Sequence, residues 1–417
     1  MKNWSKKNFK QNGLLQGDGA LWMVLVFLCC ISIVTVYSAS SRMTFSTGKY
    51  WAPVIKHAEL MLAGIGFAWV LHMLPCKLYK LVGLVLTVFY YIALGLAFLT
   101  GQINGAARWA DVGDVRFQPS EFAKLGLVMT TAFIFSVFRD KNGVSAFGFK
   151  LAFVNALLTM ALIVTENLST AIIIGVVMLC MAFYSQVHTK VLVTLVGLCV
   201  AIGLGGYLTL VNIPQSTLDE WYNDKECVMH RVPVWVDRLK ETNELPPDPN
   251  DYDIHDNEQV THAQIAVATC GLNPRGPGNS IERDYLPHAD SDFIYAILIE
   301  EWSIFVAAFV MFLYLLLLYR AYKISRKCKS LYPAYLIMGL SLLLVTQAMV
   351  NMAVAVGAIP VTGQTLPLVS RGGTSAFANC AIMGIMLSVS RSAKRVEEKA
   401  ETEEEETTNT DPCNNQE

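Results

Sequence analysis

Long apolar segments recur along most of the chain, and polar residues are concentrated between them. A helix needs about 20 apolar residues to cross the ~30 Å hydrocarbon core of a bilayer, and these segments approach or exceed that length. We therefore expect an all-α integral membrane protein. The pattern predicts ten spans, at residues 20–40, 57–74, 80–100, 119–137, 149–166, 168–186, 190–211, 292–319, 333–357 and 376–392.

Composition supports a membrane protein, because 53% of the 417 residues are hydrophobic and only 16% are charged. Soluble domains carry about 25% charged residues. The formal net charge of -2 indicates no particular class of partner. The sequence has no basic arm interleaved with aromatic residues, so we do not expect nucleic acid as a partner.

The distribution of Lys and Arg predicts the orientation, because positively charged short loops stay in the cytoplasm. With ten spans, the basic clusters all fall on one side, and both termini are expected in the cytoplasm. These clusters comprise Lys2, Lys6, Lys7, Lys10, Lys77, Lys80, Arg139, Lys141, Arg320, Lys323, Arg326, Lys327, Lys329, Arg391, Lys394 and Arg395.

Three regions follow from this layout: a cytoplasmic segment at 1–19, a membrane domain at 20–392 and an acidic tail at 393–417. The tail is rich in Glu and Thr, so we expect it to be disordered. The connection at about 212–291 lies outside the cytoplasm between spans seven and eight, and loops of this length are usually functional. Cys227 and Cys270 lie in it, and sequence alone does not decide whether they form a disulfide.

Ionisable residues in or beside the spans are functional candidates, since charge is costly in a membrane. Glu121 and Lys124 share one face of span four and are either a structural ion pair or part of a site. Arg108, just before this span, contacts either lipid headgroups or the phosphate of a substrate. Asp292 at the start of span eight is either a helix cap or a functional acid.

Further polar groups fall near the same outer face. At least one of Glu300 and Glu301 must point into a polar interior, since both cannot face lipid cheaply. Residues 363–375 suggest a re-entrant stretch, which membranes tolerate only where protein surrounds it or it lines a cavity. These residues alone indicate a helical bundle suited either to chemistry on a lipid-linked anion or to its transport.

Four segments, in order and spacing, resemble the SEDS family (shape, elongation, division and sporulation), which includes FtsW and RodA. They are 105–109 with FQPSEFAKL at 117–125, GPGNS at 276–280, YLP at 285–287 with the acids up to 301, and 359–375. The GPGNS and DYLP elements are more similar to FtsW than to RodA. Asn167 departs from the family by replacing an acid, and Arg371 stands where an aromatic residue or Met is more usual.

The resemblance implies an inverting peptidoglycan glycosyltransferase that polymerises lipid II at the outer face of the bacterial inner membrane, for synthesis of the division septum. It implies a class B penicillin-binding protein and other divisome proteins as partners. A divalent cation, Mg or Mn, could share the pyrophosphate, although no ligand cluster indicates one. Alternatives are a lipid II transporter, which the lack of a clear inverted repeat disfavours, and a non-catalytic scaffold.

The resemblance also assigns roles to individual residues. Asp292 matches the essential aspartate of the family and is the expected catalytic base. Asp284 matches a position where activity is tuned, so we expect a regulatory or loop-positioning role. The expected substrate-binding residues are Arg108, Gln118, Glu121, Lys124 and Ser370.

Overall fold

The computed structural model describes residues 16–40, 51–99, 110–112, 115–164, 167–214, 258–270, 273–286 and 289–409, with short pieces between 216 and 236. The helices before the long connection are α1 (Gly19–Ala39), α2 (Ala52–Met73), α3 (Leu78–Leu99), α4 (Pro119–Val137), α5 (Ala146–Val164), α6 (Leu168–Tyr184) and α7 (Thr189–Val211). Those that follow are α8 (Glu258–Cys270), α9 (Ile294–Trp302), α10 (Ile304–Lys327), α11 (Leu331–Ala355) and α12 (Gly373–Asn409).

Eight of these helices are long and apolar enough to cross a membrane, and two shorter apolar ones, in α3 and α6, coincide with further predicted spans. The predicted multi-span helical membrane fold is confirmed. Within the described residues, β structure is limited to two antiparallel hairpins. One pairs β1 (Ala110–Val112) with β2 (Val115–Phe117), and the other pairs β3 (Arg139–Asp140) with β4 (Gly143–Val144).

The core is built around α4, α11 and α12, whose most apolar stretches are mostly buried, whereas that of α7 is entirely unburied within the chain. Apolar side chains gain little by leaving lipid for protein, so tight packing between small residues carries much of helix association in membranes. A Cβ atom added to Gly384 of α12 would lie 2.6 Å from the carbonyl oxygen of Ala68 on α2. Only glycine therefore allows these two helices to approach so closely.

The prediction of one continuous span at 292–319 is wrong, because the chain breaks at Ser303. This residue has φ 82° and ψ 160°, which ends α9, and its hydroxyl accepts a bond from the Phe305 amide at 3.4 Å at the start of α10. A short hydroxyl side chain is a favourable N-cap. Hydrophobicity continues across the break, so the apolar pattern alone cannot reveal it.

The expected disorder of the tail from 393 onward differs from the structure, in which α12 continues as a helix to Asn409. Residues 393–409 extend an existing helix and need no new nucleus, and their Glu, Lys and Ala are good helix formers. Residues 410–417 lie outside the described part of the chain. Cys227 and the side chain of Cys270 also lie outside it, so the structure does not test whether these two cysteines pair.

Candidate functional site

The backbone at 356–372, between α11 and α12, is non-helical, and much of it is buried. Buried carbonyl groups need hydrogen-bond donors, and membranes tolerate such backbone only where protein supplies them. Side chains of three helices donate to its carbonyls: Asn351 to Gln364, Gln347 to Thr365, Tyr314 to Pro367 and Ser32 to Val369. The expected re-entrant stretch is thus a fixed part of the bundle interior, which we call the buried segment.

Asp292 lies in the turn at 289–293, which precedes α9 and packs against the buried segment. The Ser370 hydroxyl donates to the Ser291 carbonyl at 2.5 Å, and the Arg371 amide donates to the Asp290 carbonyl at 2.8 Å. Asn351 Nδ2 donates to the Asp292 carbonyl at 2.8 Å. Three consecutive carbonyls of the turn are therefore held by the protein.

The Asp292 side chain is partly exposed, whereas the residues of α9 that follow it are almost entirely buried. Phe293 occupies the N-cap position of α9, and Asp292 precedes it by one residue. A fixed backbone below a partly exposed carboxylate suits a positioned proton acceptor.

Arg371 forms an ion pair with the same turn, since its Nη1 atom lies 2.8 Å from Asp290 Oδ2. The Arg371 side chain is 31% exposed, so part of the guanidinium faces outward. The sequence comparison marked Arg371 only as a departure from the family pattern. In the structure it is a cation beside the turn that carries Asp292.

Glu121 and Lys124 form a buried ion pair within α4, with 2.8 Å between Glu121 Oε1 and Lys124 Nζ. Only 2% of the Lys124 side chain is exposed. Its ammonium group also donates to Gln347 Oε1 at 3.1 Å, and Gln347 in turn donates to the Thr365 carbonyl. In this structure Lys124 therefore supports the buried segment and does not face an accessible surface.

Gln347 and Asn351 were missed by the sequence reasoning. They are four residues apart on α11, so they lie on one helix face and connect the ion pair at Lys124 to the turn at Asp292. Two carboxamides in an otherwise apolar span were the available signal, because buried polar groups in a membrane need specific partners.

Glu300 and Glu301 are completely buried at the end of α9, and they hold the loop that carries the GPGNS sequence. Glu300 accepts bonds from the Ser280 hydroxyl at 2.5 Å and the Ile281 amide at 3.0 Å, and it pairs with Arg275 Nε at 3.3 Å. The expectation that at least one of these acids points into a polar interior holds for both. The groups that bind Glu300 all belong to this loop.

Glu301 joins this loop to α1. It accepts bonds from the Ser38 hydroxyl and from the Ser280 amide, and Arg283 Nη1 lies 3.8 Å from its Oε1 atom. Arg283 also donates to the Ser38 carbonyl at 3.4 Å. The two glutamates together fix residues 275–283 against the membrane bundle.

Asp284 lies at the end of a 3-10 turn, Glu282–Asp284, next to this anchored loop. Its side chain is 53% exposed, and its Oδ1 atom is 3.7 Å from Arg283 Nε. The preceding Glu282 binds His262 of α8 at 2.6 Å. Asp284 is thus an exposed group on a fixed loop, which suits the loop-positioning role that the resemblance implies.

Gln118, Ser370, Asn167 and Arg108 are the remaining residues that were singled out from the sequence. Gln118 directly precedes α4 and its amide donates to the Ser120 hydroxyl at 3.1 Å. Ser370 uses its hydroxyl within the protein, since it also accepts a bond from the Leu366 amide at 2.8 Å. Asn167 caps α6 through bonds from the Ser169 and Thr170 amides. Arg108 lies outside the described residues.

The described residues contain no group of three or more His, Cys, Asp or Glu side chains that could hold a metal ion. A cation at this site would need ligands in addition to these protein side chains. Mg²⁺ commonly binds through one or two carboxylates together with substrate phosphates. The donor set at the Asp292 turn fits only that substrate-dependent kind of binding.

Comparison with known proteins identifies the family of this chain. The family profile described as FtsW/RodA/SpoVE, cell cycle protein, matches residues 19–395. The probable peptidoglycan glycosyltransferase FtsW of Bacillus subtilis (strain 168) is 29% identical over 399 residues, which cover 93% of each chain. The protein of the same name in Haemophilus influenzae is 31% identical over 401 residues, covering 92% of this chain and 94% of that one.

A solved structure supports the fold independently. It is described as "Structural coordination of polymerization and crosslinking by a peptidoglycan synthase complex" and has a TM-score of 0.68 at 22% identity. The match covers 90% of this chain and 98% of the chain in that complex. The expected identification from the four sequence motifs is confirmed, and the chain belongs to the FtsW/RodA/SpoVE (SEDS) family.

Proposed function

We propose that this protein is a peptidoglycan glycosyltransferase that polymerises lipid II into glycan strands. The single observation that carries the proposal is the match to relatives named probable peptidoglycan glycosyltransferase FtsW over 93% of the chain. The geometry is compatible with this activity, because a partly exposed carboxylate, Asp292, stands on a turn that the bundle holds rigid. Rigid support of a reacting group is a general requirement of catalytic sites.

The reaction joins an acceptor sugar hydroxyl to the anomeric carbon of a donor sugar. A new C–O bond forms as the bond between that carbon and the pyrophosphate oxygen breaks, with inversion at the carbon. The hydroxyl proton passes to Asp292, which acts as the general base. The electron pair of the broken bond leaves with the lipid pyrophosphate.

The leaving pyrophosphate carries developing negative charge, which cationic side chains stabilise. Arg108 is the proposed contact, since its planar guanidinium suits phosphate oxygens. Arg371 is a second candidate because it is partly exposed beside the Asp292 turn. We assign Lys124 and Glu121 a positioning role through Gln347, which their burial supports. Gln118 holds the start of α4 through its bond to Ser120, and Ser370 holds the turn at Asp292.

A divalent cation, Mg or Mn, is proposed as a companion of the substrate pyrophosphate; the carboxylates at the turn are Asp292 and Asp290, of which Asp290 is paired with Arg371. When bound, it would neutralise phosphate charge. Removal of divalent ions with EDTA, followed by addition of Mg²⁺ or Mn²⁺, tests this in a polymerisation assay. Full activity in EDTA would exclude a required ion.

The activity is tested with purified protein in liposomes and fluorescent lipid II. Asp292→Asn should lower polymerisation at least about 100-fold, since a positioned base contributes 10²–10⁴-fold. Asp140→Asn, an exposed change in the β3 strand, is the matched control and should be fully active. An Asp292→Asn protein that polymerises normally would exclude the base assignment. Scrambling of lipid II without polymerisation would instead favour transport.

A penicillin-binding protein of class B is the proposed partner, which is consistent with the similar fold in a peptidoglycan synthase complex. Polymerisation should rise when the cognate partner is added, and co-purification with other divisome proteins tests the septal role. The proposed location is the bacterial inner membrane with both termini in the cytoplasm. Reporter fusions at both termini test this orientation.

A further inference from the structure

A cleft of about 530 Å³ opens between the start of α11, the middle of α12 and the connection from α2 to α3. Tyr332 in this cleft precedes Asn351 by 19 residues on α11. A helix rises 1.5 Å per residue, so the cleft is about 28 Å from the bond that holds the Asp292 turn. It therefore lies at the opposite end of the bundle from the candidate active site.

Four cations line this cleft: Lys77, Lys80, Arg391 and Arg395. Among the described residues, no acidic side chain lines the cleft and none of the four cations forms an ion pair. Arg391 donates to the Met73 and Leu74 carbonyls, at 2.7 and 3.2 Å. Arg391 is thus held in place by neutral carbonyl groups.

A neighbouring cleft at the same end shows the contrast. It is lined by three cations, Arg320, Lys327 and Lys394, and two of them have a carboxylate partner there. Arg320 binds Asp18, and Lys327 binds Glu397 at 2.8 Å. Positive charge at this end follows from membrane orientation, but orientation alone gives no reason why carboxylates line one cleft and, among the described residues, none line the other.

The Tyr332 hydroxyl supplies an independent observation. Tyr332 is 2% exposed, its hydroxyl is buried without a hydrogen-bond partner, and the residue lines the cationic cleft. Buried polar groups nearly always have a partner, so an unpartnered hydroxyl calls for an explanation. Lys80 Nζ lies 5.3 Å from the centre of the Tyr332 ring, which places a cation next to this hydroxyl-bearing ring.

Two further features favour an anion. The N-terminus of α11 opens into the cleft at Ser330, whose side chain makes no capping bond, and the N-terminal end of a helix carries partial positive charge. Burial raises the pKa of the Cys76 thiol, so this lining residue stays neutral and adds no negative charge.

We propose that this cleft binds a phosphate group, as carried by the headgroup of an anionic phospholipid or by a free phosphate. The cations neutralise the phosphate oxygens. The Tyr332 hydroxyl, which is buried at the wall of the cleft, donates a hydrogen bond to one of them once the ligand displaces the side chains that cover it. Basic pockets between membrane helices commonly bind anionic lipid headgroups. Binding here would fasten α3, α11 and α12 together at the end of the bundle away from Asp292.

The test measures binding to the full-length protein in detergent by native mass spectrometry and by thermal shift. The probes are phosphatidylglycerol, phosphatidylcholine and inorganic phosphate, each titrated separately. Phosphatidylglycerol should bind, and Lys77→Gln/Lys80→Gln should weaken it about tenfold or more, since each cation near an anionic headgroup contributes severalfold. Lys150→Gln/Lys190→Gln, two exposed charges outside the cleft, should bind like the wild type.

Tyr332→Phe is the sharper variant, because it removes only the hydroxyl that has no partner. Without ligand its thermal stability should equal or exceed that of the wild type, and its binding of phosphatidylglycerol should be several times weaker. If inorganic phosphate alone stabilises the protein and competes with the lipid, the recognised group is the phosphate itself. If only phosphatidylglycerol acts, the source is the lipid.

Equal loss of binding in both lysine double variants would overturn the proposal, as would equal affinity for phosphatidylglycerol and phosphatidylcholine. A Tyr332→Phe protein that binds normally would remove the hydroxyl from the site and contradict the geometry proposed. Binding is read without lipid II, so a failed polymerisation assay leaves the result unaffected.

Discussion

Asn351 Nδ2 donates to two carbonyl oxygens at once, that of Asp292 at 2.8 Å and that of Gln364 at 2.7 Å. One amide on α11 thereby joins the turn that carries the proposed base to the buried segment. The turn at Asp292 is thus tied directly to a helix in the core of the bundle.

Replacing Asn351 with Leu should displace Asp292 without touching the substrate. Two buried carbonyls would lose their donor, at a cost of about 1–3 kcal/mol each. In the lipid II assay we expect kcat to fall at least tenfold with a small change in KM. Asn212→Leu, an exposed carboxamide directly after α7, is the control. Normal kcat for Asn351→Leu would show that the turn holds its place by other contacts.

The ion pair of Glu121 and Lys124 allows its structural and chemical roles to be separated. Lys124→Met should destabilise the protein by about 3–5 kcal/mol, because it leaves a buried carboxylate unpaired. The double change Glu121→Gln/Lys124→Met should recover most of that stability, measured by thermal unfolding in detergent. If activity recovers with stability, the pair is a positioning element. Restored stability with lost polymerisation would instead assign Lys124 to the substrate.

Glu300→Ala should release the loop that carries the GPGNS sequence. Ser280, Ile281 and Arg275 all lose their acceptor, so the loop loses local stability. The rate of hydrogen exchange at residues 275–284 should rise about tenfold for each 1.4 kcal/mol that is lost. Exchange in α11 should stay slow. Glu59→Ala, an exposed carboxylate on α2, serves as the control. Unchanged exchange at the loop would mean that Glu301 alone suffices to hold it.

Ser303 has a backbone conformation that favours glycine, yet its side chain also caps α10. Ser303→Ala keeps the strain and loses the cap, so it should lower stability by about 1 kcal/mol. Ser303→Gly also loses the cap but relieves strain of about 1–3 kcal/mol, so it should be at least as stable as the wild type. Thermal unfolding compares the two variants. Equal destabilisation would contradict the break between α9 and α10.

Much of the fold could be predicted from sequence because the length and hydrophobicity of the spans are properties of the chain alone. The break at Ser303 could not, since it depends on one dihedral angle within a continuous apolar stretch. The helix through 393–409 was missed because composition describes isolated chains, whereas these residues continue a helix that is already formed.

The candidate site was predicted in part. Asp292 and Asp284 were found through motif resemblance, and the burial of Glu300 and Glu301 through the cost of charge in lipid. Their partners could not be found, because Ser280 and Ser38 approach Glu300 and Glu301 only after folding. Lys124 shows the same limit. The sequence allowed either a structural ion pair or a part in the site, and only the burial of Lys124 in the structure favours the structural role.

The close contact between Gly384 and Ala68 has a mechanical consequence. Because α12 starts directly after the Arg371 region and packs closely against α2, we expect it to move as one unit, about 55 Å long for its 37 residues. A partner that pulls on the acidic end of this helix would transmit the force to the Arg371–Asp290 pair. Spin-label distances along α12 that stay constant while those between Arg371 and α9 change would reveal such a lever.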